Sequence, residues 1–207
     1  MSLPTKVEKE KIEMRQAKFS RETKETSIGG ELKLDGSGRH SIDTTIPFLN
    51  HMLILMTAHG LLDLKLKASG DTEVDLHHTV EDVGICLGKA LKQALGEKKG
   101  IRRYGTAFVP MDESLGSAHV DLSGRPCLVY HCSLRRKKIG NFDIELVKEF
   151  FQAFVNNAAI TLHVQIAYGS NGHHMVEALF KAFGRALRQA AAKDERVRGV
   201  LSTKGRL

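Results

Sequence analysis

Several residue types and patterns are scarce or absent in this 207-residue chain, and each absence argues against a class of protein. No apolar run approaches the roughly 20 residues that span a bilayer, so a membrane protein is not expected. The three cysteines form no C-x-x-C pair, which disfavours a disulfide framework or a thiolate zinc site and indicates a reducing cytoplasm. The charged start, MSLPTKVEKEKIEMRQ, lacks the apolar stretch of a signal peptide, and we expect residues 1–16 to form a flexible leader.

Tryptophan is also absent, although the net charge is +7. A basic chain can bind nucleic acid or a small anionic molecule. The basic clusters at residues 98–103 and 135–138 are not interleaved with aromatic side chains that could stack on bases. The charge therefore leaves both kinds of partner open, but a base-stacking surface for nucleic acid is poorly supported.

One five-residue pattern, His-His-x-x-Glu, occurs twice, in DLHHTVEDVG and in NGHHMVEALF. Aligning residues 77–95 with residues 173–191 gives nine identities in nineteen positions without a gap. The spacing indicates a tandem duplication, with repeat halves at residues 17–99 and 100–195 and a tail at residues 196–207. Because each sheet needs helices to cover it, we expect one compact α+β body.

Each half reads as strand, strand, helix, strand, helix. Apolar alternation predicts the strands, and apolar residues at helical spacing predict the helices. The first half is predicted to contain strands at residues 27–34, 39–45 and 61–68, and the first two are predicted to form a hairpin through 35–38. Its predicted helices lie at 48–59 and from the first His-His pair to near residue 96. The second half is predicted to contain strands at 117–122, 127–134 and 159–167, and helices at 144–157 and after the second His-His pair.

The doubled pattern has the geometry of a metal site if it lies on the first turn of a helix. His77 and Glu81 are four residues apart and share a helical face, so both can bind one ion. His78 lies about 100 degrees further round the helix, so it is expected to face a second ion. The same holds in the second copy for His173 with Glu177 and for the lone histidine beside them.

The duplication suggests two crossed sites, each taking the His–Glu pair of one copy and the lone histidine of the other. His51, in the predicted 48–59 helix, and His163, on the polar face of the 159–167 strand, could each supply a fourth ligand. The predicted sites are His77, Glu81, His174 and His163 for one metal, and His173, Glu177, His78 and His51 for the other.

These donor sets suit Mn²⁺, Fe²⁺, Co²⁺ or Zn²⁺, which accept imidazole together with carboxylate. Four protein ligands leave two positions open on an octahedral ion, which predicts a catalytic rather than a structural metal. The residue order differs from the H-E-x-x-H of zincins, so a metalloprotease is disfavoured.

Several longer segments extend these patterns, namely IPFLNHML, DLHHTVEDVGICLGKAL, DLSGRP, NGHHMVEALFKAFGRAL and the tail LSTKG. Through these segments, nearly the whole chain resembles the imidazoleglycerol-phosphate dehydratase family of histidine biosynthesis. The resemblance implies a duplicated α+β fold with helices packed between two mixed sheets. It further implies two Mn²⁺ per active site and assemblies of 24 subunits built from trimers, with metal sites shared between subunits. The family's metal ligands correspond to the eight residues predicted above.

The resemblance also implies a reaction. The family dehydrates imidazoleglycerol phosphate to imidazoleacetol phosphate through an imidazolate or diazafulvene species that the metals stabilise. Glu25, in TKET, is implied as the base, donated across a subunit boundary, and Glu81 and Glu177 complete the catalytic set as metal ligands.

Substrate contacts are implied as well. His59 corresponds to a substrate-site position, and the phosphate would be bound by cations and the tail. The implied phosphate-binding residues are Arg103, Arg125, Lys181, Ser202, Thr203 and Lys204. One departure concerns Asn50, where the family usually has an aspartate that could orient His51.

Two other functions remain open from the residues alone. A dinuclear metal hydrolase could use a bridging hydroxide on the same ligands. A basic nucleic-acid-binding protein could hold metal structurally and would bind DNA or RNA in a salt-sensitive way.

Overall fold

The computed structural model describes residues 14–133 and 137–207, which form two four-stranded mixed sheets and four helices. The first sheet has the order β1-β2-β4-β3, with β3 parallel to β4 and the other pairs antiparallel. Its elements and helices in chain order are β1 (Gln16–Glu22), β2 (Thr26–Lys33), β3 (His40–Asp43), α1 (Pro47–Gly60), β4 (Asp63–Gly70) and α2 (His77–Leu95).

The second half repeats this order. Its sheet runs β5-β6-β10-β7, with β7 parallel to β10. The elements are β5 (Tyr104–Met111), β6 (Ser114–Asp121), β7 (Cys127–His131), α3 (Glu145–Ala158), β10 (Thr161–Tyr168) and α4 (Gly172–Ala191), with a small pair β8 (Lys138–Ile139) and β9 (Phe142–Asp143) before α3. The predicted duplication and the α+β class are confirmed.

The helices lie between the sheets and join the two halves. Helix α2 packs on β1 and β2 and also against α3, whereas α4 packs on β5 and β6 and also against α1. Two glycines permit the closest helix contacts, because a Cβ on Gly184 would lie 2.3 Å from the Met56 carbonyl oxygen and one on Gly88 would lie 2.5 Å from that of Phe154. The two contacts are repeat counterparts, so each helix pair crosses in the same way.

The predicted hairpin at residues 27–45 is wrong. Strands β2 and β3 are not partners, because β4 lies between them and pairs with both. Likewise β10 separates β6 from β7. The first strand of each half, β1 and β5, was also not predicted, so each unit contributes three strands to its four-stranded sheet before its first helix.

The predicted boundaries of the halves and tail remain predictions. Most of the predicted 1–16 leader lies outside the described residues, and its last residue, Gln16, already belongs to β1. Residue 134, at the end of a predicted strand, also lies outside them, as do residues 135 and 136 of one basic cluster. In the described part of the chain, no helix has the length and apolarity to cross a membrane.

Candidate active site

Both His-His pairs lie on the first turn of a helix, and the same local device starts each helix. The backbone N–H of His77 donates to Asp75 Oδ1 at 2.7 Å, and that of His173 donates to Asn171 Oδ1 at 3.0 Å. Side-chain oxygens at this position satisfy N–H groups that a helix leaves unpaired. The two rings of each pair are 87° apart, which fits the expectation that neighbouring histidines face different ions.

Three predicted ligands converge where α1 meets α4. The Nε2 atoms of His51 and His173 lie 2.6 Å and 3.1 Å from the same oxygen, Glu177 Oε1. Among the described residues, these three form the one group whose ligand atoms could bind a metal together. Two imidazole nitrogens with one carboxylate suit a borderline divalent cation. Three of the four ligands predicted for one metal are therefore adjacent within a single chain.

Glu177 is held as a carboxylate. Its side chain is buried, and burial alone would raise its pKa. Hydrogen bonds from Lys181, at 2.7 Å, and His51 outweigh burial and lower the pKa of Glu177 to about 2. Lys181 lies one turn further along α4, as the sequence indicated. Burial lowers the pKa of His59, and the nearby positive charges of Lys181 and Arg185 lower it further. The group thus combines a charged ligand with nearby cations.

The second histidine of each pair is bound by a carboxylate through Nδ1. His78 Nδ1 lies 2.9 Å from Asp71 Oδ2, and His174 Nδ1 lies 2.8 Å from Glu113 Oε2. These hydrogen bonds raise the pKa of both imidazoles. With Nδ1 engaged, either ring can bind a metal only through Nε2, which is the arrangement typical of metal-binding histidines. Neither Asp71 nor Glu113 was predicted from the sequence as a partner of these histidines.

Glu25 lies beside His78 in its own chain. Its Oε2 is 3.8 Å from His78 Nδ1, and its side chain is 55% exposed. The turn that carries it is firmly held, because Thr23 Oγ1 accepts the N–H groups of Glu25 and Thr26. The carboxylate is thus close to a predicted metal ligand and accessible from outside the chain.

The other predicted ligands are not brought together within one chain. His77 is half-buried, Glu81 is exposed, and His163 is an exposed residue of β10 paired with His119. Repeat symmetry offers another fourth ligand. Helices α1 and α3 both have 14 residues and start at positions 47 and 145, so the counterpart of His51 is Glu149. Since α3 packs on α2 as α1 packs on α4, Glu149 fits the His77–Glu81 pair better than His163, whose ligand role stays a prediction.

Asn50 does not orient His51 as the family's aspartate could. Its Oδ1 accepts hydrogen bonds from the backbone N–H and the hydroxyl of Thr44, at 2.8 Å and 2.6 Å. The amide therefore fixes the loop before α1. Through this loop it contributes to the placement of α1, which carries His51.

A second region collects most of the predicted phosphate ligands. Arg103, Arg125 and the tail line a cavity of about 1080 Å³. Its described lining contains six cations and no acidic side chain. The cations are Arg103, Arg125, Arg196, Arg198, Lys204 and Arg206, and Ser202 and Thr203 add hydroxyl groups. Such a surface suits a phosphate group.

Arg103 has a structural task in this cavity. Its guanidinium forms a two-point contact with Asp121, at 2.7 Å and 3.0 Å, and donates to the Leu201 carbonyl at 2.7 Å. The contact holds the tail over the cavity. Because a guanidinium has five N–H groups, two remain for an anion.

The ligand group and the basic cavity lie at opposite ends of α4. Glu177 is on the second turn of that helix, whereas Arg103 N–H donates to the Ala190 carbonyl at the far end. Thirteen residues of helix separate Glu177 from Ala190, or about 20 Å along the axis. The substrate that the family resemblance implies, an imidazole ring with three carbons and a phosphate, is shorter than this axial distance.

Comparisons with known proteins match this arrangement to one family. The family model described as imidazoleglycerol-phosphate dehydratase matches residues 44–187. The imidazoleglycerol-phosphate dehydratase of Geobacter sulfurreducens is 60% identical over 193 residues, which cover 93% of this chain and 99% of the relative. That of Acetivibrio thermocellus is 59% identical over the same shares.

Two solved structures agree. The enzyme from Staphylococcus aureus superposes with a TM-score of 0.79 at 42% identity, covering 86% of this chain and 99% of the other. The enzyme from Pyrococcus furiosus gives 0.79 at 37% identity, covering 91% and 100%. The matches span both halves of the duplication and both His-His segments. The chain therefore belongs to the imidazoleglycerol-phosphate dehydratase family and is a hydro-lyase.

Proposed function

We propose that this protein dehydrates imidazoleglycerol phosphate to imidazoleacetol phosphate in histidine biosynthesis, using two Mn²⁺ ions per active site. The observation that carries the proposal is the convergence of His51 Nε2, His173 Nε2 and Glu177 Oε1 on one point. Two nitrogens and a carboxylate oxygen fit Mn²⁺ among the borderline divalent ions. The bound metals would act as Lewis acids on the imidazole ring and the departing hydroxyl.

The first metal would be held by His51, His173 and Glu177, with His78 of a neighbouring subunit as the fourth ligand. Its crossed counterpart would use His77, Glu81 and His174, with Glu149 or His163. The Nδ1 contacts of His78 and His174 support this assignment, because they leave Nε2 of each ring for an ion.

Sharing between subunits is supported by the length of α4. Since the ligand group and the basic cavity are about 20 Å apart along one helix, a complete centre needs the ligand group of one chain and the cavity of another. Glu25 would enter together with His78, to which it is adjacent. We infer a cytoplasmic homo-oligomer of 24 subunits built from trimers, as the family resemblance implies.

This chain's side chains then have distinct tasks. The hydroxyl on the carbon attached to the imidazole ring leaves as water, and the Glu25 carboxylate accepts the proton from the next carbon along the chain. The resulting enol ketonises to the product. Arg125, Lys204 and the hydroxyls of Ser202 and Thr203 bind the phosphate. Lys181 and His59, next to the ligand group, contact the polar part of the substrate.

A turnover assay tests the proposal. The protein is stripped with chelator, reloaded with Mn²⁺ and mixed with imidazoleglycerol phosphate, and the ketone product is measured. We expect activity that is lost on chelation and restored by Mn²⁺, and a Glu25→Gln variant that binds substrate but turns over at least about 100-fold more slowly. No dehydration by the reloaded protein, or phosphate release in its place, would contradict the proposal.

A further inference from the structure

Glu25 and Glu113 occupy the same position in the two repeats. Glu25 immediately precedes β2 and Glu113 immediately precedes β6. Both strands have eight residues and are the second strands of their halves, paired with β1 and β5 respectively. Glu25 faces His78, and Glu113 faces His174, which is the counterpart of His78 in the second repeat.

The two carboxylates nevertheless make different contacts. Glu113 Oε2 lies 2.8 Å from His174 Nδ1, and its Oε1 accepts the backbone N–H groups of Asn171 at 2.8 Å and Ser170 at 3.2 Å. Glu25 Oε2 is 3.8 Å from His78 Nδ1, beyond hydrogen-bond reach. Glu113 is fixed, whereas Glu25 is not fixed by its histidine.

Asp71 accounts for the difference. Its Oδ2 is hydrogen-bonded to His78 Nδ1 at 2.9 Å, and its backbone N–H donates to the Glu25 carbonyl at 3.1 Å. Because β10 has a bulge that β4 lacks, Gly169 is the counterpart of Gly70, and the residue that corresponds to Asp71 is Ser170. Ser170 has no carboxylate to offer His174, and its hydroxyl donates to Glu113 Oε1 at 3.4 Å instead.

We propose that Asp71 and Glu113 are positioning residues for His78 and His174, and that Asp71, by taking Nδ1 of His78, leaves the Glu25 carboxylate free to accept the substrate proton. The inference rests on the proposed function, which makes the two histidines metal ligands and Glu25 the base. A carboxylate on Nδ1 fixes the ring tautomer and directs Nε2 to the metal. In the second repeat the equivalent glutamate does this itself. In the first, Asp71 has taken over the task.

The test compares Asp71→Ala, Glu25→Ala and the double variant in the full-length oligomer. Mn²⁺ affinity is measured by competition with a chelator, and kcat is measured separately. In Asp71→Ala, we expect Glu25 to take the freed Nδ1, so that kcat falls at least about tenfold while Mn²⁺ affinity changes only a few-fold. Glu25→Ala should keep its affinity and lose turnover. The double variant, with no carboxylate left on Nδ1, should lose affinity by about 10–100-fold.

Two further variants separate positioning from a loss of structure. Asp71→Asn keeps an amide oxygen for Nδ1, so we expect it to recover most of the kcat that Asp71→Ala loses. Glu73→Gln, at an exposed position in the same loop, is the matched control and should behave as the wild type. If Asp71→Ala keeps its kcat, or alone loses as much affinity as the double variant, Glu25 is not released by Asp71 and the inference is wrong.

The second repeat gives an independent arm. Asp112 Oδ2 is 3.9 Å from His174 Nδ1 and could replace Glu113 as its partner, so Asp112 is removed in the same variant. The variant is Glu113→Ala with Asp112→Gly, because glycine tolerates the backbone φ of 47° at position 112. We expect an affinity loss of about 10–100-fold. Unchanged affinity in this pair would overturn the role of Glu113. A wild type that binds no Mn²⁺ would overturn the proposed function and this inference with it, whereas normal binding in every variant would overturn the inference alone.

Discussion

At the scale of single residues, the buried pair Glu177–Lys181 couples the ligand group to the nearby cations. Lys181 Nζ lies 2.7 Å from Glu177 Oε2, while Oε1 faces the two histidines. In the proposed function, one carboxylate oxygen would thus bind a metal while the other binds an ammonium group. The side chain can hold an ion and a substrate-binding cation in a fixed relation.

Replacing Lys181 with methionine should therefore weaken substrate binding more than metal binding. A charge-assisted hydrogen bond contributes about 1.5–3 kcal/mol, which corresponds to a rise in KM of about 10–100-fold. Mn²⁺ affinity, measured by chelator competition, should not fall, because Glu177 keeps both oxygens. Lys92→Met, at an exposed position of α2, is the control and should change neither quantity. A parallel loss of Mn²⁺ affinity in Lys181→Met would show that the lysine acts through the metal.

Asp63 is a second buried carboxylate, with a purely structural task. It accepts the backbone N–H groups of Ser37 and Arg39, at 2.8 Å and 3.1 Å, and the guanidinium of Arg39 at 2.7 Å. The Arg39 hydrogen bond, together with these N–H groups, outweighs burial and lowers the pKa of Asp63 from 3.8 to about 2. These contacts also explain why a charged residue is buried in the alternating pattern of β4.

Because the folded-state pKa of Asp63 is depressed, its stabilisation is complete above the ordinary pKa and is lost as the pH falls through about 2. We expect Asp63→Asn to lower the free energy of unfolding at pH 7 by about 1–3 kcal/mol. The difference from wild type should shrink between about pH 4 and about pH 2 in urea titrations. A difference that stays constant over this range would show that the charge is not the cause.

At the scale of helices and strands, two close helix crossings decide where the ligands meet. Gly184 allows α4 to approach α1 so closely that His51 reaches Glu177. The counterpart Gly88 does the same for α2 and α3. The geometry of the ligand group therefore depends on a glycine two turns away from it.

Gly184→Ala should force α1 and α4 apart, since its Cβ would lie 2.3 Å from a backbone oxygen that cannot move alone. Overpacking of this kind costs about 1–3 kcal/mol, more than the gain in helix propensity of about 1 kcal/mol. We expect a lower melting temperature and weaker Mn²⁺ binding. Gly29→Ala, whose Cβ meets its nearest atom at 3.8 Å, is the control. Normal Mn²⁺ affinity in Gly184→Ala would show that the close crossing of α1 and α4 does not control the geometry of the ligand group.

The helices and the repeated His-His pattern could be predicted from sequence, because both depend on local spacing along the chain. The predicted helix 48–59 differs from α1 by one residue at each end. Strand β5 was not predicted because Gly105 and Pro110 interrupt its alternating pattern. The hairpin was wrongly predicted because β4 lies between β2 and β3, and local sequence does not show such a non-local pairing. Glu113 was missed for the same reason, since it reaches His174 across 61 residues.

At the scale of the whole molecule, the proposed function divides one site between the ligand group of one chain and the basic cavity of another. If these two regions serve one substrate in this way, the proposed function requires an assembly. If metals bind between subunits, their removal should weaken that assembly. The binding free energy of the metal then contributes directly to association.

Chelation should therefore reduce the particle size, and added Mn²⁺ should restore it. Sedimentation velocity before chelation, after chelation and after Mn²⁺ return measures this directly. The double variant His173→Ala/Glu177→Ala, which lacks two ligands, should give the small species even with Mn²⁺ present. If the chelated wild type keeps its full size, metal does not hold the subunits together.

The length of α4 also has a consequence for genetics. If the centre is shared between subunits as proposed, two chains that are each inactive should complement one another when the defect of one lies in the ligand group and that of the other in the cavity at the far end of the helix. Co-refolding Glu177→Gln with Arg125→Ala should yield mixed particles in which some centres receive an intact part from each partner, and activity should reappear. Two alleles that are null when alone could then support growth without histidine when they are expressed together.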